Sequence, residues 1–122
     1  MSVQNDFPAV FEELKNILKP YAQNLTVKTD TADTYYLDGP YSERWKKELF
    51  FGSAQIKKNY VSFYLMPVYM YPELLNNVSP ELKKRMQGKS CFNFKKVEAE
   101  LFRELEALTR SGAEKFKKEN SK

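Results

Sequence analysis

Two segments of alternating side chains, joined by only three residues, constrain this chain more than anything else in it. From Phe50 to Ile56, Phe50, Gly52, Ala54 and Ile56 share one face while Leu49, Phe51, Ser53 and Gln55 share the other. From Tyr60 to Met66, Val61, Phe63 and Leu65 oppose Tyr60, Ser62, Tyr64 and Met66. A period of two is that of a strand, and Lys57-Lys58-Asn59 is short enough to fold the two segments into a hairpin. Gly52 and Ala54 are small enough for a helix to approach closely, so the Phe50 to Ile56 face is expected on the helix-covered side. The opposite face then mixes rings with hydroxyl and amide groups.

The other elements arrange themselves around this hairpin. Asn5 or Asp6 is placed to cap a first helix carrying Phe7, Val10, Phe11, Leu14, Ile17, Leu18 and Tyr21 as its apolar stripe, which Pro20 ends. Leu25 to Thr29 reads as a half-buried strand, with Leu25 and Val27 facing inward. Thr34 to Leu37 reads as another, closed by Asp38-Gly39-Pro40. Tyr41 to Lys47 is compatible with a loop or one helical turn around Trp45. Ser79-Pro80-Glu81 has the order N-cap, first-position proline, first-turn acid, so a short helix is expected as far as about Gln87, stopped by Gly88. Alternation returns over Ser90 to Phe94, and Val97, Leu101, Phe102, Leu105 and Leu108 mark a last helix.

These elements predict an α+β fold of two layers: one antiparallel sheet of about five strands, with the N- and C-terminal helices packed on one face. The expected domain covers residues 1–112. Gly112 marks a stop, and the basic tail over residues 113–122, with Phe116 as its one large apolar anchor, is expected to fray. The short helix from Pro80 is expected to fold over the second face of the sheet.

Composition narrows the chemistry. The chain has 122 residues and 42% hydrophobic side chains, enough for one core. No apolar run reaches the length of a membrane span, and MSVQNDF lacks the features of a secretory signal. A soluble cytoplasmic protein is the expectation, without a membrane partner. Histidine is absent, which removes the usual general base and the commonest metal ligand. Cys91 is the single cysteine, so an intramolecular disulfide and multi-cysteine zinc motifs are excluded.

The net charge of +4 is unevenly spread: Lys83, Lys84, Arg85, Lys89, Lys95 and Lys96 follow one another without an intervening acid. Such a run reads either as a solvated helix and turn or as a patch for an anion or nucleic acid. Its near lack of arginine argues against base reading, so no sequence-specific nucleic-acid binding is expected.

The residues singled out for binding are Gln55, Tyr60, Ser62, Tyr64, Cys91 and Asn93 on the second sheet face, with Arg85 or Lys89 supplying charge. The competing reading is that these rings and hydroxyls are packing, satisfied among themselves and covered by the segment 67–88. For Cys91, Lys89 and Ser90 lie close enough in sequence to suggest a lowered thiol pKa, against which stands an inert, packed side chain. Glu12/Glu13, Glu98/Glu100 and Glu104/Glu106 are one or two residues apart and so do not share a helix face as an acid/base pair would. No catalytic residue is assigned.

The string KNYVSFYLMPVYMYPELLNNVSPELKKRMQGKSCFNFK, followed by LFRELEALTRSG, resembles the YdhG-like family of small bacterial domains of unknown function. The resemblance runs from the first helix to about Gly112 and implies the same fold. Some relatives are described as frataxin-like iron chaperones, which implies iron as a ligand and Glu12, Glu13, Asp30 and Asp33, with Asp6, as the acids to hold it. Without that alternative no cofactor is expected. The sequence as a whole reads as a non-enzymatic module that binds a small molecule or a protein, as a monomer or weak homodimer. An enzyme using Cys91 or a lysine, and a purely structural surface near Met66 to Leu75, are the remaining alternatives.

Overall fold

A computed structural model describes residues 7–42 and 46–120. Its centre is a five-stranded antiparallel sheet in the order β1-β2-β3-β4-β5, so each strand pairs with its neighbour in sequence. The strands are β1 (Thr26–Asp30), β2 (Thr34–Ser42), β3 (Lys47–Ile56), β4 (Val61–Leu65) and β5 (Cys91–Phe94). The helices are α1 (Phe7–Leu18), α2 (Met66–Met70), α3 (Pro80–Lys83) and α4 (Ala99–Asn120). Short 3-10 turns follow α1 at Lys19–Asn24 and α2 at Pro72–Asn77. The α+β sandwich expected from the alternation is the architecture found, with α1 and α4 together on one face of the sheet. Among the described residues no helix is long and apolar enough to cross a membrane.

The hairpin register shows how the two faces are divided. Ala54 pairs with Phe63 and Ile56 with Val61, and the next strand adds Phe92 opposite Phe63 and Phe94 opposite Val61. These side chains meet Val10, Phe11, Leu14 and Leu18 of α1 and Leu101, Phe102, Leu105 and Leu108 of α4 in one core. Phe94 and Phe102 touch edge to face, with ring centres 4.8 Å apart. Gly52 is where α1 comes close to the sheet: a Cβ there would stand 3.2 Å from Leu18 Cδ2, and 2.9 Å from the Tyr64 carbonyl oxygen of the next strand. The small residues of β3 therefore do admit a helix to the sheet.

Alternation fails at one step. Leu37 pairs with Gly52 and Asp38 with Phe50, so Phe51 is an extra residue in β3 and the strand bulges. Beyond the bulge the faces exchange. Phe51, not Phe50, enters the core, with its ring 5.8 Å from that of Tyr21 and 5.5 Å from that of Phe116. Phe50 instead lies on the second face, 4.7 Å from the ring of Tyr36. Leu49 is buried with the core as well.

Four other expectations are corrected. β1 is an edge strand with its own register shift between Val27 and Thr29; Val27, paired with the buried Leu37, lies on the core side of the sheet as expected but is 41% exposed at the edge instead of being buried. β2 is not stopped by Asp38-Gly39-Pro40; its pairing shifts there and resumes, running to Ser42. The tail does not fray within the described residues: α4 is one helix of 22 residues. Gly112 marks a close approach in it, a Cβ there lying 3.0 Å from Pro67, and Phe116 is buried against Phe51. Lastly, α3 is a single turn, and the segment containing it does not cover the second sheet face. The Ser79 amide donates to Glu104 Oε1 at 3.1 Å and Lys115 Nζ lies 3.5 Å from Glu73 Oε2, so this segment runs along α4. The Asn5 or Asp6 cap and Trp45 lie outside the described residues.

The close approach at Gly52 yields a test. Gly52→Ala places a methyl group against backbone and should destabilise the fold by about 1–3 kcal/mol, read as a lower denaturation midpoint with unchanged m-value.

Candidate binding face and its cationic margin

The second sheet face carries two chains of hydrogen bonds. In the first, Lys57 Nζ donates to Gln55 Oε1 at 2.8 Å, and Gln55 Nε2 donates to Ser53 Oγ at 3.2 Å. Lys57 Nζ also stands 6.0 Å from the centre of the Tyr64 ring. In the second, Asn93 Oδ1 accepts from Ser62 Oγ at 2.7 Å and from Cys91 Sγ at 3.3 Å. With its oxygen so occupied, Asn93 turns its amide nitrogen outward, and Nδ2 donates to Gln87 Oε1 at 2.6 Å. Ser53 and Ser62 are buried under this cover, and every buried side-chain nitrogen or oxygen among the described residues has a partner.

Strand register explains the second chain. Tyr64 pairs with Cys91 and Ser62 with Asn93. On the far side of β5 the chain returns after α3: the Gln87 amide donates to the Cys91 carbonyl, the Asn93 amide donates to the Arg85 carbonyl, and Met86 bridges Phe92. Arg85 to Gln87 thus forms a short sixth rung. Gly88, at φ 89°, makes the reversal that a side chain would resist. The return takes the residues that a longer helix to Gln87 would have used, which is why α3 is so short.

The residues singled out in the sequence are thereby sorted. Gln55, Ser62, Tyr64, Cys91 and Asn93 come together on this face, while Tyr60 is half-buried at the hairpin turn. Arg85 is engaged elsewhere: Nε and Nη2 grip Glu98 at 2.9 and 2.7 Å, a two-pronged pair that holds the guanidinium pKa above its usual value. Lys89 is exposed in the turn after Gly88. Cys91 has its thiol pKa pushed up by burial, the reverse of an activated nucleophile.

Around β5 lies a groove of about 680 Å³, lined by Lys84, Arg85, Met86, Gln87, Asn93, Lys95, Lys96 and Glu98. Sequence reasoning had the lysines but missed Gln87 and the Arg85–Glu98 pair that forms part of the lining. The signal for Gln87 was its place just before Gly88, where a reversal brings it beside β5. Across the Arg85–Glu98 pair a second groove, of about 490 Å³, includes Glu81 and Glu100.

Of the acids considered for iron, Asp6 lies outside the described residues and the other four sit apart from this region. Asp30 accepts from Lys15 Nζ at 3.0 Å, a bond that raises the lysine pKa, and Asp33 accepts from Thr31 and Thr34 within the β1–β2 turn. Glu12 and Glu13 are exposed on α1. Among the described residues no three acidic or cysteine side chains are grouped so as to hold a metal ion.

Comparison with protein-family models, curated proteins and solved structures finds no match to this chain.

Burial of Cys91 carries a kinetic consequence. Because its neutral form is favoured, iodoacetamide at pH 8 should alkylate Cys91 more slowly in the folded protein than in the urea-unfolded chain or a small-molecule thiol. Faster reaction of the folded protein would restore the case for a nucleophile.

Proposed function

We propose that the chain is a non-enzymatic binding module whose ligand lies on the open sheet face, between Tyr64 and the margin of β5. One observation carries this reading. Tyr36, Phe50, Gln55, Tyr64, Cys91 and Asn93 remain partly exposed although they lie on the inner and last strands of the sheet, whereas the opposite face is sealed by α1 and α4. Flat rings beside oriented amides are the usual furniture of a small-molecule site, the rings supplying contact area and the amides orientation.

The same groups argue against catalysis. The thiol is held neutral, the hydroxyls of Ser62 and Thr109 are spent on protein acceptors, and no histidine is present to activate them. Amide NMR with a library of small uncharged aromatic compounds tests the reading. Saturable shifts should group at Ser53, Gln55, Ser62, Tyr64 and Cys91, and Tyr64→Ala should remove them while unfolding stays cooperative. Shifts grouped instead around Glu13, Asn16, Phe102 and Arg103, which line a groove between α1 and α4, would contradict it.

A further inference from the structure

The groove around β5 holds more positive charge than the protein itself neutralises. Glu98 is its one carboxylate and is taken by Arg85 through two short bonds. Lys84, Lys95 and Lys96 are exposed and, among the described residues, none forms an ion pair. Three like charges around one concavity repel one another, a cost that an anion would relieve. Glu81 and Glu100 line the neighbouring groove, which shares Lys84, Arg85 and Glu98 with this one, and neither forms an ion pair with Lys84.

A second feature gives the charge a direction. The chain of bonds from Ser62 and Cys91 through Asn93 ends on Gln87 Oε1, which fixes the Gln87 amide with its oxygen toward β5. Gln87 Nε2 then has two hydrogens and no protein acceptor among the described residues. Three ammonium groups and a fixed amide donor around one groove match an oxyanion with several acceptor oxygens and more than one negative charge.

We propose that this groove is a binding site for a phosphate monoester dianion. The proposal rests on reading the adjoining sheet face as a ligand surface only insofar as the organic part of the ester would extend over Cys91 toward Tyr64. Two strand spacings separate Tyr64 from Gln87, roughly 10 Å, a span suited to a ring on the tyrosine and a phosphoryl group among the lysines. The site binds the ester and leaves its bonds intact, since no residue around it is placed to activate water: Glu98 is held by Arg85 and histidine is absent.

Amide NMR and calorimetry at fixed ionic strength, with inorganic phosphate, phenyl phosphate and chloride as probes, test the site. Phosphate should give saturable shifts of the Gln87 and Asn93 side-chain amides, chloride should not, and phenyl phosphate should bind more tightly and extend the shifts to Tyr64. Lys95→Gln should weaken phosphate binding roughly tenfold, and the same change at Lys96 should add a further loss of similar size. Gln87→Glu, an exposed change that should spare the fold, should abolish it. Phosphate shifts at Gln87 without any response of Tyr64 to an aromatic probe would keep the anion site and remove the sheet-face reading. Aromatic shifts at Tyr64 with no phosphate response at Gln87 would do the reverse. Diffuse shifts over all lysines, matched by chloride and indifferent to Gln87→Glu, would overturn the site.

Discussion

The close contact of α1 with the sheet at Gly52 is the constraint on which the rest of the molecule depends. With Leu18 seated where a side chain would otherwise stand, α1 lies low enough for α4 to pack beside it over Phe63, Phe92 and Phe94. The bulge one residue earlier then turns Phe51 into the same layer, giving Phe116 at the far end of α4 an aromatic partner. Helix α4 stays ordered past Gly112 because of that anchor, and the segment from Pro67 to Lys83 follows it through Pro67, Ser79 and Glu73.

One consequence is a sheet with one dry face and one open face. The open face holds its polar groups in two bonded chains instead of leaving them to water, so its surface is shaped before anything arrives. Preorganised donors and flat rings lose little freedom on binding. At the edge of that face the protein gathers lysines around a groove and spends its one local acid on Arg85. Polar order and uncompensated charge meet at Asn93 and Gln87.

Much of this architecture was legible in the sequence, because alternation and helical spacing respond to the same burial that shapes the fold. The covered face of β4 and β5 and the stripes of α1 and α4 could be read directly from Val61, Phe63, Phe92, Phe94, Leu14 and Leu105. What escaped were features with no period. A bulge inserts a residue without changing composition, so Phe50 and Phe51 exchanged faces. Val27 looked buried because alternation gives a residue's face and cannot tell an edge strand from an inner one. Gly112 looked like a stop, yet its missing side chain serves a contact with Pro67 that only the tertiary structure reveals. On the candidate face Ser62, Tyr64, Cys91 and Asn93 were recognisable from alternation alone. The engagement of Arg85 by Glu98 was not, since that pair forms only after Gly88 reverses the chain.

The most direct test of the account is native mass spectrometry of the protein gently purified from cells, beside the chain carrying Lys95→Glu and Lys96→Glu. A defined mass excess is expected on the unaltered protein, released on unfolding, with the mass of a small phosphorylated compound and absent from the altered chain. A bare chain in both samples, or an excess that survives the charge reversal, would contradict it.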